Sequence, residues 1–234
     1  MCWWIRPYRP SDRQAVWTLV ADTAFFGAPV EAFLEDRTLY CAAFAAYYTD
    51  YEPDRLWVAE VDRTVVGYVM GCGDSRRRVR TWGTRILPTI LGAGLQRRYR
   101  IGRKTLRCAW RLLQAVLGRQ IPAVPFDQFP GHLHIGVAAA ARGQGVGRAL
   151  LETSLAQFWA TGVSGVHLMT TDRNRAACHL YESLGFQLLD TRQAGFWRGL
   201  IAGGVQNRAY GIRADWWVGG NGDGDTAFLP ALRG

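Results

Sequence analysis

The spacing of apolar positions divides the chain into alternating strands and helices. In the first third, the predicted elements are a strand from Trp4 to Arg9, a helix capped by Ser11-Asp12 and running to about Thr23, a second helix from Val30 to Tyr48, and a hairpin of Leu56 to Val61 and Thr64 to Met70. Later, the elements are a strand from Gly131 to Val137, a helix from Arg148 to Phe158, a strand from Val166 to Thr170, a helix ended by Gly185 and a strand starting at Phe186. This order predicts an α/β fold.

About 57 residues, 74–130, separate the hairpin from the next strand. Ile101 to Leu117 has a helical period with apolar residues on one side and basic residues on the other. A shorter segment from Arg85 to Leu95 is interrupted by Pro88. We interpret residues 74–130 as a helical insertion that covers one side of the sheet.

The C-terminal segment, residues 199–234, is weakly patterned. The last strand is predicted either at Gly195–Arg198 or at Ile212–Val218, and the pattern favours neither. A length of 234 residues with 49% hydrophobic content fits a single domain spanning residues 1–234.

Five scattered cysteines without a C-x-x-C pair are typical of a reducing compartment. The first ten residues do not form a signal peptide, and no apolar run reaches the roughly 18 residues of a membrane span. These features predict a soluble cytoplasmic protein, as a monomer or a homodimer.

The positive charge of the chain is local. Its net charge is +9, yet residues 75–126 hold 13 basic residues and no acidic ones, so the other 15 basic residues stand against all 19 acidic ones. Because the field belongs to the insertion alone, the net charge does not describe a general nucleic-acid-binding protein, and we expect no nucleic-acid partner.

A glycine-rich turn follows the strand that ends at Val137. Arg142-Gly143-Gln144-Gly145-Val146-Gly147 precedes the helix that begins near Arg148. Such a turn points several backbone N–H groups at one spot, with the positive end of the helix dipole behind them. It is suited to a pyrophosphate. It is not a P-loop, which needs Gly-Lys-Ser/Thr, nor a dinucleotide fingerprint with an acidic residue on the next strand.

A second motif lies about thirty residues later: Asn174, Ala177, Tyr181, Gly185 and Phe186 form N-x-x-A-x-x-x-Y-x-x-x-G-F. Its first three members share one helix face. Together, R-x-x-G-x-G and this motif resemble the Gcn5-related N-acetyltransferase (GNAT) superfamily. The resemblance implies a mixed central sheet that is splayed between strands 4 and 5, flanked by helices and here interrupted by a basic insertion between strands 3 and 4.

The resemblance also implies acetyl-CoA as co-substrate. Backbone groups of the strand end would pair with pantetheine, the turn would hold the pyrophosphate, and Tyr181 would point its hydroxyl at the sulfur. The implied cofactor contacts are Val137, Ala139, Arg142, Gly143, Gln144, Gly145, Val146, Gly147, Arg148, Asn174 and Tyr181.

The residue that takes the proton from the acceptor is open at this point. His132 and His134 share one face of the fourth strand, which resembles the serotonin N-acetyltransferases with a one-residue offset. His134 is either the base, in which case activity would rise with pH near ~6.5, or a buried structural histidine. Asp127 is the second candidate. A metal site is not expected, because the histidine pair has no further ligand at suitable spacing.

Residues bordering the acceptor in this family lie after the first helices, which makes Tyr48, Tyr51 and Glu52 candidate acceptor contacts, and His132 of the fourth strand is a further candidate. The leading hypothesis is direct acetyl transfer to a primary amine of a small molecule or amino sugar. Two alternatives stay open. One is a non-catalytic acyl-CoA-binding module, and the other is an adaptor whose basic insertion docks on nucleic acid or anionic membrane.

Overall fold

A computed structural model describes residues 2–217. A seven-stranded mixed sheet has the strand order β1-β2-β3-β4-β5-β7-β6. The strands are β1 (Trp4–Pro7), β2 (Leu56–Val61), β3 (Thr64–Cys72), β4 (Gly131–Val137), β5 (Gly165–Thr171), β6 (Gln187–Gln193) and β7 (Gln206–Arg213). The helices are α1 (Arg13–Asp22), α2 (Arg37–Phe44), α3 (Ala46–Asp50), α4 (Ser75–Thr81), α5 (Leu87–Leu95), α6 (Arg103–Leu117), α7 (Val146–Ala160) and α8 (Arg175–Ser183).

Alternation along the strands creates two cores, one on each face of the sheet. Tyr68 and Met70 of β3 point to the face covered by α1, α2 and α3. Val69 of the same strand points to the other face, with Leu133 of β4 and the apolar sides of α7 and α8. The helices therefore form a layer on each face of the sheet, as the sequence predicts.

The parallel strands β4 and β5 pair over a short distance only. Gly131 is opposite Val166 and His132 is opposite His167, and no further pair follows toward the carboxyl ends. β5 nevertheless stays paired with β7 from Gly165 to Thr171. The sheet therefore opens between β4 and β5, and the predicted splayed sheet is confirmed.

The insertion between β3 and β4 is helical. α4, one turn of π-helix (Trp82–Ile86) and α5 follow without a break, and Pro88 lies directly after the π-helical turn, where the regular α-helical hydrogen-bond pattern is already interrupted. Trp82 donates its indole N–H to Ala43 O at 2.7 Å, which fixes this rod to α2. Glu35 accepts the backbone N–H groups of Lys104 and Thr105, both at 2.7 Å, and caps α6.

Two predicted boundaries are wrong in detail. The helix predicted from Val30 to Tyr48 is divided into a 3-10 turn, α2 and α3, because Asp36 caps a new helix by accepting the N–H of Leu39 at 2.8 Å. The first strand ends at Pro7 and not at Arg9, since Pro10 opens a 3-10 turn.

The last strand is β7, Gln206–Arg213, which begins earlier than the predicted Ile212–Val218. The alternative, Gly195–Arg198, is a 3-10 turn at Gly195–Trp197 followed by an isolated bridge at Arg198. The prediction that 199–234 is weakly patterned is corrected for residues 206–213, and residues 218–234 lie outside the described part.

The apolar side of α6 is largely exposed, although an amphipathic helix normally buries its apolar side. Ala115 is buried and Cys108 is half-buried, whereas Leu106, Trp110 and Leu113 are 64%, 58% and 47% exposed. The helix is turned because Glu35 fixes its beginning and Arg111 donates to Arg198 O at 2.7 Å. Within residues 2–217, no helix is both long and apolar enough to cross a membrane.

Gly165 is required where β5 starts beside the loop that leads into β4. A Cβ at this position would lie 2.2 Å from the carbonyl oxygen of Gln128. We expect Gly165→Ala to lower the free energy of unfolding by roughly 1–3 kcal/mol, since backbone atoms must shift. Gly92→Ala in α5, where nothing lies within 4 Å, is the control and should raise it by about 0.5–1 kcal/mol. Urea unfolding of both variants measures the difference; equal stabilities would contradict the steric argument.

Candidate active site

The glycine turn presents a row of free backbone donors. Gly143 and Gly145 adopt φ of +74° and +82°, a left-handed conformation that favours glycine, and Gly145 is the N-cap of α7. The N–H groups from Gly143 to Arg148 have no acceptor among the residues that the structure describes. They lie at the positive end of a 15-residue helix. This geometry suits a pyrophosphate.

The side chains around the turn hold it against its neighbours. Arg142 donates its Nε to Val137 O at 3.0 Å, Gln144 donates to Ala140 O at 2.9 Å, and Arg148 donates to Ser183 Oγ at 2.7 Å. Gly147 differs from the other glycines, because a Cβ there would lie 3.3 Å from Leu180. The structure thus gives Gly147 a role in packing α7 against α8, in addition to the predicted phosphate approach.

The open edge of β4 carries backbone groups that no neighbouring strand pairs, although Val137 O accepts from Arg142 Nε. Ala138 donates its N–H to Val66 O of β3 at 2.8 Å. Because antiparallel strands alternate the direction of their backbone groups, those of Ile135 and Val137 point away from β3, toward the opening beside β5. Ala139 begins the 3-10 turn that leads to the glycines. An extended chain can therefore pair along this edge as a short added strand.

The residues of the second motif lie on and beside α8, the helix that their spacing predicts. The side chain of Asn174 caps α8 by accepting the N–H of Ala177 at 3.4 Å. Tyr181 is 5% exposed, and its ring packs beside Phe186 and Tyr210. Its hydroxyl makes no hydrogen bond within residues 2–217, and burial raises its pKa. Tyr181 is therefore protonated at neutral pH and free to donate.

His134 is held by aromatic contacts. Its ring meets Phe44 edge-on at 4.6 Å between centroids and lies 6.0 Å from Tyr68. It is half-buried and makes no hydrogen bond with the described residues, so the alternative of a backbone-bonded structural histidine is not observed. Burial lowers its pKa to about 4, below the ~6.5 at which a histidine base is expected to ionise.

His132 belongs to a chain of polar rings. Its Nδ1 lies 2.8 Å from the hydroxyl of buried Tyr48, and its ring meets His167 at 5.0 Å. His167 in turn donates its Nδ1–H to Phe129 O at 3.0 Å. Burial lowers the pKa of both histidines, that of His167 to about 4. The sequence-based predictions gave His167 no role. A histidine inside an otherwise apolar strand was the feature that could have indicated a buried polar contact there.

Arg78 of α4 lies close to the polar rings of His132 and His167. Ser75, one turn earlier, is fully buried and donates its Oγ to Pro130 O at 2.8 Å, which directs this side of α4 toward the start of β4. The Nε of Arg78 is buried and has no partner among the described residues. After burial itself, the Arg78 charge is the next cause that lowers the pKa of His132.

Glu52 and Tyr51, two of the predicted acceptor contacts, interact with other side chains of the protein. Glu52 accepts from Tyr47 Oη at 2.9 Å, from Arg55 Nε at 3.0 Å and from the Gly73 N–H at 2.9 Å, so its carboxylate is already hydrogen-bonded within the protein. Tyr51 is 39% exposed and stacks on Tyr47.

Asp127 is a highly exposed carboxylate that pairs with Arg76 at 2.9 Å. The Arg76 guanidinium lowers its pKa, which makes it a poorer base. The structure therefore does not support Asp127 as a base.

The surroundings of His134 are aromatic. Tyr40 stacks on Phe44 at 5.4 Å, both rings are half-buried, and Phe44 contacts His134. The sequence did not identify Tyr40 or Phe44, since they lie about ninety residues from β4. As for a metal, the residues covered by the structure contain no group of three or more His, Cys, Asp or Glu side chains able to hold one.

Comparison with known proteins assigns the family. The model of the acetyltransferase (GNAT) domain matches residues 116–188. A solved structure of SsHAT is 31% identical, with a TM-score of 0.66, and the match covers 91% of this chain and 98% of that one. The chain belongs to the GNAT superfamily of acetyltransferases.

More distant solved structures share the fold. A GNAT phosphinothricin acetyltransferase from Sinorhizobium meliloti, solved with AcCoA, has a TM-score of 0.54 at 15% identity, with 91% of this chain and 89% of that chain covered. Polyamine N-acetyltransferase of Drosophila melanogaster has a TM-score of 0.57 at 18% identity, with 91% and 100% covered.

Two curated relatives match over a short segment. The mycothiol acetyltransferase of Nocardiopsis dassonvillei is 44% identical over 57 residues, 24% of this chain, and that of Gordonia bronchialis is 48% identical over 52 residues, 22% of this chain. The chain spans only 17% of the length of either curated relative. The match supports the acetyltransferase family, while the acceptor of these relatives does not follow for this chain.

The neutral histidines make stability depend on pH. The pKa of His134 and His167 is about 4 in the folded protein and near 6.5 when unfolded. The unfolded chain then binds more protons between these values, so the free energy of unfolding is highest above pH ~6.5 and falls as the pH is lowered toward ~4. We expect His134→Gln to flatten this decline and the exposed His179→Gln to leave it unchanged. Urea unfolding between pH ~4 and ~6.5 measures this decline. The same decline in wild type and His134→Gln would contradict a lowered pKa of His134 in the folded protein.

Proposed function

We propose that this protein transfers the acetyl group of acetyl-CoA directly to a primary amine of a small molecule. The observation that carries the proposal is the opening between β4 and β5, which is followed along the chain by the row of free N–H donors at the start of α7. Two independent features of acetyl-CoA fit this geometry. Its anionic pyrophosphate suits the N–H donors of the glycine turn, and its amide-bearing pantetheine arm can pair with the open edge of β4. The solved neighbour containing AcCoA supports the same co-substrate.

Acetyl-CoA supplies the activated acyl group. In the proposed reaction, the N–H groups of Ile135 and Val137 stabilise negative charge on the carbonyl oxygen, as donors held in fixed positions. Tyr181 donates its proton to the departing sulfur, since burial keeps the hydroxyl protonated. The amine bonds to the acyl carbon as the carbon–sulfur bond breaks, and it loses one proton.

That proton does not need a strong protein base. His134 is neutral at pH 7 but, with a pKa of about 4, accepts a proton poorly. We therefore infer that the acceptor enters as the neutral amine or passes its proton to water beside His134. Activity should then follow ionisation of the amine and not an ionisation near ~6.5.

The surroundings of His134 support an acceptor with an apolar or aromatic body. Phe44 meets His134 edge-on and Tyr40 stacks on Phe44, so these two half-buried rings offer apolar faces and edges there. An amino sugar would require several polar partners, yet Glu52 and Tyr48 are already hydrogen-bonded inside the protein. We accordingly favour an arylalkyl or alkyl primary amine over an amino sugar.

Release of free CoA thiol from acetyl-CoA tests the function with a panel of amines that includes aromatic, aliphatic and sugar amines. We expect turnover with the aromatic and aliphatic members. Tight acetyl-CoA binding without turnover on any amine would favour the non-catalytic binding module. Turnover confined to amino sugars would overturn the proposed acceptor class while retaining the enzyme.

A pair of glycine substitutions tests whether the glycine turn binds acetyl-CoA. Gly145→Ala introduces a side chain at φ +82° inside the row of free N–H groups, and Gly162→Ala introduces the same strain at φ +76° in a turn after α7. A Cβ has ample space at both positions. We expect both variants to lose similar stability, and only Gly145→Ala to lose roughly tenfold or more in acetyl-CoA affinity by calorimetry. Equal affinities would remove the turn from the binding site.

Tyr181→Phe separates chemistry from binding. Loss of the hydroxyl should lower kcat roughly 100-fold and leave acetyl-CoA affinity nearly unchanged, because the proton is needed as the sulfur departs. Tyr210→Phe is the control: its hydroxyl donates to Glu182 at 2.8 Å, so its loss should affect stability and not kcat. Wild-type turnover in Tyr181→Phe would mean that water is the acid.

A further inference from the structure

The insertion carries most of the exposed apolar surface of the described chain. Of sixteen exposed large apolar side chains in residues 2–217, eleven lie between residues 79 and 121. On α6, Leu106, Trp110, Leu113 and Leu117 are spaced four, three and four residues apart and form one stripe along the helix. We call these four residues the apolar stripe. Leu117, at its end, is 75% exposed.

The stripe faces outward because the opposite side of α6 is fixed to the protein. Cys108 and Ala115 pack inward, and Arg111 donates to Arg198 O at 2.7 Å. Glu35 caps the beginning of α6 through the N–H and the hydroxyl of Thr105. These contacts set the rotation of the helix, so the stripe has no partner in the described part of the chain.

Positive charge accompanies the stripe. Arg103 and Arg107 are exposed on α6, beside the stripe, and neither has a carboxylate partner among the described residues. Residues 75–126 contain 13 basic residues and no acidic ones. An exposed helix with leucine and tryptophan on one face and arginine beside it has the composition of a helix that lies in the interface of a membrane.

We propose that α6 docks this enzyme on the surface of an anionic lipid bilayer, with the apolar stripe in the headgroup region and the arginines on lipid phosphates. A second copy of the chain would fit poorly, because it would bring two insertions of the same charge together. Nucleic acid would use the arginines and leave Leu106, Trp110 and Leu113 in water. An anionic bilayer satisfies both the charge and the apolar stripe.

Sedimentation of the full chain with vesicles tests the proposal. We expect binding to phosphatidylcholine vesicles that contain phosphatidylglycerol and little binding to phosphatidylcholine alone. Trp110→Gln with Leu113→Gln should weaken binding roughly tenfold or more, and so should Arg103→Gln with Arg107→Gln. Leu188→Gln, at an apolar position on β6 that is 50% exposed, and Arg63→Gln, in the exposed hairpin turn, are the controls and should bind as wild type.

Each alternative occupant gives a distinct result. Binding to heparin or RNA that is lost in the arginine variant and unchanged in Trp110→Gln with Leu113→Gln, without vesicle binding, would indicate nucleic acid. A dimer in analytical ultracentrifugation that disappears in Trp110→Gln with Leu113→Gln, again without vesicle binding, would indicate a second copy. Either result, or vesicle binding that is indifferent to the stripe, overturns the proposal. Acetyl transfer in solution should be unchanged in the α6 variants, so the test is independent of the proposed reaction.

Discussion

The early end of pairing between β4 and β5 is the constraint on which the site depends. A parallel sheet normally satisfies the backbone groups of every internal strand, and a strand edge left open requires another partner. Here β4 pairs fully with β3 and β5 pairs fully with β7, so neither strand can close the gap by sliding. The opening is thus held from both sides, while Gly165 and the loop at Gln128 keep the closed end tight. It is a rigid feature of the sheet.

The proposed site takes groups from both faces of the sheet. α7 and α8 on one face bring the glycine turn and Tyr181. The other face brings His134 with its aromatic neighbours from α2 and β3. A co-substrate lying along the opening would therefore have its phosphates at a helix N-terminus and its acyl end between the two faces.

Local patterns in the sequence predicted the elements that carry the glycine turn and Tyr181. Both motifs consist of residues a few positions apart, and the structure places these residues in the elements expected. The surroundings of His134, Glu52 and Asp127 were not predicted, because their contacts join distant segments. Glu52 is held by Gly73, and Asp127 by Arg76, and neither partner follows from a periodic pattern. The pKa of His134 likewise depends on burial by residues about ninety positions away.

The helix α6 shows a different kind of disagreement between sequence and structure. Its strongest local signal is an amphipathic pattern, and such a pattern normally predicts which face is buried. The fold instead buries the side containing Cys108 and Ala115 and exposes the one containing Leu106 and Trp110. Where local preference and global fold conflict, the exception often marks a functional surface, because a costly exposure persists only if another contact uses it. The same insertion places Arg78 of α4 near the start of β4. The insertion therefore carries both the exposed apolar stripe of α6 and a buried arginine close to His132.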